Sequence, residues 1–316
     1  MSGSTLEYMM ATVSIILLII YTALGTFGNS MTLIVVWRIP TLSTPINFFI
    51  INLAIADLII SIIVNPLYII TIIYNKWPFG GMLCNVVRFL TIWSCVCSAL
   101  NLAAIAYNRY VCILKPSRYT EIFTKKRTLW MCFAVWGFAF LPVLVPAIAI
   151  GSRGYNDQST SCSANRSDDA DYWKYFTTVL LIIVIIIASI IVFCYVKIIR
   201  KVSASMKTTR SSKLQRGDTG RVSAKLLNNR KKEYNLAKNI MVVSTTFMIC
   251  WAPMCFVSIA RVSGAIIPQQ LWQVTVLLIL LNSAINPIIY AWRNKYFRKA
   301  YLQTLCKRTT TANVQT

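Results

Sequence analysis

The sequence predicts an all-α polytopic membrane protein: a bundle of seven transmembrane helices followed by a short amphipathic eighth helix on the cytoplasmic side. Three observations carry the prediction. The first is composition, 57% hydrophobic and only 13% charged over 316 residues, where a soluble domain carries about a quarter charged residues. So few charges cannot clothe a chain this size in water, so lipid is its solvent. The second is the recurrence of apolar runs long enough to cross about 30 Å of hydrocarbon. They fall at 9–37, 45–73, 81–113, 128–150, 173–199, 236–262 and 270–292. The third is the distribution of basic residues. Of the 32 Lys and Arg, 26 lie in or beside the loops 38–44, 109–127 and 197–238 and the tail 293–316. Positive charge stays inside, so the N-terminus is expected outside and the C-terminus in the cytoplasm.

The first run, "MMATVSIILLIIYTALGTFGNSMTLIVVW", is about twice the length of a secretory h-region and has no basic flank before it, so it reads as a retained span. The domain plan is an extracellular segment 1–8, a seven-span domain 9–292 with an outer loop 151–172 and a basic inner loop 200–232, and an amphipathic helix with tail over 293–316. The net charge of +23 belongs to topology and not to a nucleic-acid surface, because it is confined to alternate loops. The inner loop interleaves Ser, Thr, Gly and Asn with charge and reads as solvated.

Polar groups inside spans are costly, and each is a functional hypothesis. The first span has Asn29 after Gly28, and the second has Asp57 in "NLAIADLIIS". Ser94, Ser98 and Asn101 share one face of the third; Asn282 and Asn286, four apart, share one face of the seventh. An isolated carboxylate in hydrocarbon must be met by donors or by a cation. Donors from Ser98, Asn282 and Asn286 with a small cation, or a packing network with no ion, satisfy Asp57 equally well on spacing alone. In the sixth span, Pro253 of "FMICWAPMCF" removes a backbone donor and kinks the helix, with Trp251 and Phe247 beneath the kink; a proline is also simply tolerated in membrane helices. After the seventh span, Phe297 and Tyr301 are four apart among Lys295, Arg298 and Lys299, an amphipathic segment suited to the interface. Cys306 behind it is a candidate for lipidation.

The cysteines show no CxxC and the chain has no His, which excludes the common metal sites and most hydrolase arrangements. No enzyme activity is expected. Cys84 and Cys162 both face the outer, oxidising side, and "NRS" at Asn165 is a glycosylation sequon on that side. A transporter or channel would need a continuous polar path, whereas the polar residues cluster in the middle and inner half of the bundle.

Gly28-Asn29, "LAIAD" ending in Asp57, Cys84, "NRY" at 108–110, Trp136, "CWAP" at 250–253 and "NPIIY" at 286–290 together resemble the rhodopsin-like, family A G-protein-coupled receptors over roughly residues 10 to 305. Within that family "NRY", "ICWAP" and "YNKW" look most like melatonin receptor-like members, although those vary the seventh-span motif that is intact here. The resemblance implies an extracellular small-molecule or peptide ligand, a heterotrimeric G protein as partner and residence in the plasma membrane. It implies that Arg109, flanked by Asn108 and Tyr110, is the switch arginine, restrained by Glu233. Asn286, Pro287 and Tyr290 would rearrange on activation, with Tyr195 as partner. A sodium ion would sit among Asp57, Ser98, Trp251, Asn282 and Asn286, which favours the cation over the dry network; no other cofactor is implied. Thr91, Ile92, Cys95, Phe247, Trp251 and Leu280 would line the ligand pocket, and Cys84 would pair with Cys162. Four departures stand out. Asn108 replaces the usual acid, the fifth span lacks its proline, Thr91 stands where amine receptors carry an aspartate, and Leu280 where opsins carry the retinal lysine.

Overall fold

The structure, a computed structural model, describes residues 3–150, 170–215 and 221–306. Within them the chain forms α1 (Gly3–Arg38), α2 (Pro45–Ile59), a π-helical segment (Ile60–Val64), α3 (Asn65–Tyr74), α4 (Gly80–Leu114), α5 (Pro116–Ile122), α6 (Lys125–Ile150), α7 (Ala170–Gln215), α8 (Arg221–Val262), α9 (Gln269–Arg293) and α10 (Lys295–Leu305). No strand occurs among the described residues. Six spans of the length and apolarity needed to cross a membrane are recognised: Thr5–Arg38, Pro45–Tyr74, Gly80–Leu114, Phe176–Ala204, Met241–Val262 and Gln269–Arg293. The 26-residue α6 covers the remaining expected span, the fourth, at 128–150. The chain is a multi-pass membrane protein.

Local chemistry sets the boundaries. Pro45 opens α2 after an extended Thr44, where its missing N–H costs nothing. Asn75 ends α3 in the left-handed region with φ 50, a conformation that asparagine tolerates at a helix terminus. The "YNKW" turn then closes on itself: Trp77 is buried, its Nε1 donates to the Gly80 carbonyl at 2.8 Å, and it packs with Cys84 and Val87. Asn294 caps α10 by accepting from the Tyr296 amide at 3.0 Å.

Helical backbone continues beyond the spans. Along most of the basic inner segment 200–232 the chain is helical: α7 runs on to Gln215 and α8 begins at Arg221, leaving 216–220 outside the described residues. Lys, Arg, Leu, Ala and Met are good helix formers, and a backbone already helical in the bilayer extends into water at little further cost. The 1–8 segment is likewise helical from Gly3. The second span, Pro45–Tyr74, carries a π-helical segment ahead of Pro66.

The helices pack with polar clasps at their crossings. Asn29 donates from Nδ2 to the Ser283 carbonyl at 2.9 Å, joining α1 to α9. Asn52 bridges three helices: its Nδ2 donates to Asn101 Oδ1 at 2.9 Å, and its Oδ1 accepts from Trp136 Nε1 at 2.6 Å. A large apolar cluster holding Phe49, Leu53, Leu102, Ile198, Phe247 and Phe297 fills the half of the bundle nearest α10. Large side chains such as Trp37, Trp130, Phe133, Ile185 and Phe193 are exposed on the outside, as a lipid-facing surface requires. The amphipathic helix forms as expected, with Phe297 and Ala300 buried. It is tied to α1 by a 2.7 Å hydrogen bond between Tyr301 and Thr32 hydroxyls. Burial pushes the Tyr301 phenol up to about 12, against the lowering effect of that bond, so the phenol keeps its proton.

Candidate functional site

Three groups of expected site residues lie along the bundle axis. At the end of α4 nearest α5, Arg109 is buried, 3% exposed. Its Nε and Nη2 donate to the side-chain carbonyl of Asn108 at 3.2 and 2.7 Å, and Nη2 also reaches the Tyr119 hydroxyl at 3.4 Å. Asn108 Nδ2 meets the same hydroxyl at 3.5 Å. Two neutral side chains are thus among the partners of this guanidinium, and Tyr119, which the sequence did not single out, comes from α5, a short helix opened by Pro116. The Glu233 backbone lies in α8, but its side chain is outside the described residues. Tyr110 points away from this clasp, its ring 5.9 Å from Phe193 on α7 and 6.2 Å from Tyr107.

Tyr195 bonds Ser244 across α7 and α8 at 3.3 Å, and Tyr290 stacks on Phe297 with ring centroids 5.6 Å apart. The two tyrosines therefore have different partners in this arrangement. Pro287 rests against α1, where Gly28 leaves room for it: a Cβ on Gly28 would come within 2.7 Å of the Pro287 ring.

At mid-depth Asp57 is 1% exposed. One carboxylate oxygen accepts from Ser98 Oγ at 3.3 Å and the other from Asn286 Nδ2 at 2.8 Å. The side-chain oxygens of Asn282 and Asn286 and the Ser94 hydroxyl are buried without a hydrogen-bond partner, as is Trp251 Nε1. A carboxylate oxygen can accept two bonds, so the donors present leave capacity unused, and unpaired buried polar atoms cost about 1–3 kcal/mol each. The surplus is in acceptors. An acceptor-rich, anionic, enclosed set of oxygens suits a hard cation.

Beyond Asp57, away from the Arg109 end, Phe247 and Trp251 stack at 5.3 Å below Pro253. Cys95 and Leu280 pack in one cluster with Leu18, Tyr21 and Ile60. Ile92 does not join them; it packs with Trp136, Val135 and Ala139 of α6. Thr91 turns its hydroxyl back to the Val87 carbonyl at 2.7 Å. Cys84 is disulfide-bonded, whereas Cys162 and Asn165 lie outside the described residues. Cys306 is a free, exposed thiol at the end of α10. Asn52, missed in the sequence, announced itself only as a polar residue one turn before Asp57; its role depends on Trp136, 84 residues away.

Similarity to known proteins agrees with this arrangement. The pattern of the 7 transmembrane receptor (rhodopsin family) matches residues 28–290. Similar proteins include melatonin receptor type 1A of Mus musculus, 27% identical over 90% of this chain and 78% of that receptor. Melatonin receptor type 1B-B of Danio rerio is 27% identical over 91% and 80%. Somatostatin receptor type 2 of Sus scrofa is 27% identical over 96% and 81%. The motifs, the helical bundle and the match over most of the chain agree: this protein belongs to the rhodopsin family of seven-transmembrane receptors and is a G-protein-coupled receptor.

Proposed function

We propose that this receptor sits in the plasma membrane with its N-terminus outside, binds a small molecule without a cationic amine, and couples through Arg109 to a heterotrimeric G protein. The observation that carries the reading is the Arg109 clasp: a buried guanidinium that donates to the Asn108 side chain and reaches the Tyr119 hydroxyl at the basic end of the bundle. Hydrogen bonds to a charged group are worth about 1.5–3 kcal/mol each, enough to restrain the guanidinium and small enough to be exchanged for a partner's acceptors. Glu233 on α8 adds a carboxylate to that restraint, and on activation Asn286, Pro287 and Tyr290 rearrange so that Tyr290 leaves Phe297 for Tyr195.

Thr91 in place of a carboxylate, and the uncharged side chains of Cys95, Trp251, Phe247 and Leu280, support a neutral ligand; the likeness to melatonin receptors supports an indole-sized one. A sodium ion held by Asp57, Ser98, Asn282 and Asn286 beneath Trp251 accounts for the surplus acceptors. It would supply a charge that stabilises the resting bundle. Cys84 pairs with Cys162, Asn165 carries a glycan, and Cys306 takes an acyl chain that pins α10 to the membrane. The same chain reads as a peptide receptor if the acidic stretch "SDDAD" (167–171) recruits a basic peptide, as the somatostatin receptor relative suggests.

The test is guanine-nucleotide exchange on purified heterotrimers with the receptor in nanodiscs, challenged with an indoleamine panel and a peptide library. Stimulation by a neutral indole is expected; stimulation by basic peptides alone selects the second reading. Silence across all G-protein classes, with no basal exchange, overturns both.

A further inference from the structure

A small cavity lies where α2, α8 and the junction of α9 with α10 meet, at the Arg109 end of the bundle. It holds about 20 Å³, room for a single water-sized particle. Asn47 of α2, Asn239 of α8, and Tyr290, Arg293 and Asn294 line it, and no lining residue is acidic. Tyr290 is 6% exposed with its hydroxyl unpartnered, and the Arg293 Nε is buried without a hydrogen-bond partner. The two residues are three apart on α9, so they share one face of the helix. Polar atoms left dry in a bundle are costly, and the residues that carry these two border one space.

What the cavity offers is donors. Arg293 Nε can only donate, and the Tyr290 hydroxyl carries a proton to give. Asn47 and Asn239 each commit one amide hydrogen, to the Leu42 carbonyl at 2.6 Å and to the Arg293 carbonyl at 2.7 Å, and each keeps a second. Asn294 caps α10 through its side-chain oxygen, so the positive end of the α10 dipole stands at the rim.

Charge points the same way. The Arg293 guanidinium lies 5.3 Å from the Trp292 ring, a contact that attracts it without neutralising it. Lys295, Arg298 and Lys299 follow on α10, all exposed. A water in the cavity would meet the hydrogen bonds and leave the charge. An anion meets both.

We propose that this cavity binds one small monovalent anion of chloride type, held by Arg293 and Tyr290 at the rim of α10, and that the bound anion favours the resting bundle. The second half rests on the coupling and on the switch reading of Tyr290 given above. The site joins elements that activation separates: Asn239 on α8 is clasped to the Arg293 carbonyl, and Tyr290 stands against Phe297. When Tyr290 leaves for Tyr195 the anion loses a donor. It therefore binds the resting arrangement more tightly and shifts the population toward it.

The experiment is thermal unfolding of the purified receptor in phosphatidylcholine nanodiscs, with sodium gluconate replaced stepwise by sodium chloride. Sodium and ionic strength stay constant, and gluconate is too large for the cavity. Chloride raises the melting temperature with a defined midpoint. Arg293→Gln and Tyr290→Phe each move that midpoint about tenfold higher, as loss of one hydrogen bond to a charged group predicts. Arg200→Gln, which removes an exposed cation from α7, leaves it in place. Basal exchange on purified G protein falls over the same chloride range, with Arg293→Gln as the blank for direct action of chloride on the G protein. A melting temperature indifferent to chloride, or a midpoint unmoved in both Arg293→Gln and Tyr290→Phe, overturns the site. A midpoint that moves as expected beside measurable exchange that is flat in chloride overturns the resting-state preference alone. No exchange at any chloride concentration overturns the coupling on which that preference rests. If Arg293→Gln fails to fold, Arg293→Lys, which keeps the charge and removes the Nε donor, takes its place.

Discussion

Asn108→Ala is expected to raise ligand-free nucleotide exchange about tenfold. Arg109 gives two hydrogen bonds to one amide oxygen, at 3.2 and 2.7 Å, and alanine removes that acceptor. The same substitution leaves the Tyr119 hydroxyl as a contact at 3.4 Å, longer than a strong charge-assisted bond. A charged hydrogen bond of about 1.5–3 kcal/mol removed from the resting state alone shifts its equilibrium by about a factor of ten or more. Glu233→Gln is expected to act in the same direction. Asn108→Asp should do the reverse at neutral pH, because a carboxylate binds the guanidinium more strongly than an amide does. It should also make basal exchange rise as pH falls, since protonation removes the charge that holds Arg109. Exchange on purified G protein at several pH values measures all three. Basal exchange in Asn108→Ala equal to wild type would show that the amide restrains nothing.

Gly28→Val is expected to lower the melting temperature by about 5 °C or more and to reduce the yield of folded receptor. A Cβ at Gly28 would stand 2.7 and 2.9 Å from two carbons of the Pro287 ring, and a proline ring has no rotamer in which to yield. α1 would have to move off α9. Overpacking of this kind costs about 1–3 kcal/mol, and the neighbouring bond from Asn29 to the Ser283 carbonyl would stretch with it. Gly137→Ala is the control, because nothing lies within 4 Å of the Cβ it would add. Fluorescence-detected thermal unfolding of the two variants separates close helix approach from helix propensity. A Gly28→Val receptor that melts within about a degree of the Gly137→Ala control would remove the argument.

These two effects lie on different links of the chain from sequence to function. Gly28 was readable as a small residue beside Asn29, and small residues let membrane helices approach. What it makes room for, a proline 259 residues later, was not readable. Asn108 was readable as an odd residue at a charged position, but its acceptor role depends on Tyr119 and on α5, a helix too short for apolar periodicity to announce. The inner loop was readable as a basic connection between spans, but its helical backbone, with α7 running to Gln215 and α8 starting at Arg221, was not, because its Ser, Thr and Asn suggest irregular chain.

Sequence by itself determined the solvent, the spans and the polar positions within them, because about 30 Å of hydrocarbon admits only long apolar helices and makes each buried polar residue conspicuous. The tertiary structure decided which of those polar groups meet. Asp57 with Ser98 and Asn286, Asn52 with Trp136 and Asn101, and Arg109 with Tyr119 are pairings across helices. They depend on rotation about each axis, and the π segment before Asn65 shows how one extra residue resets that rotation. Composition fixes how deep a side chain lies; only packing fixes the direction in which it points.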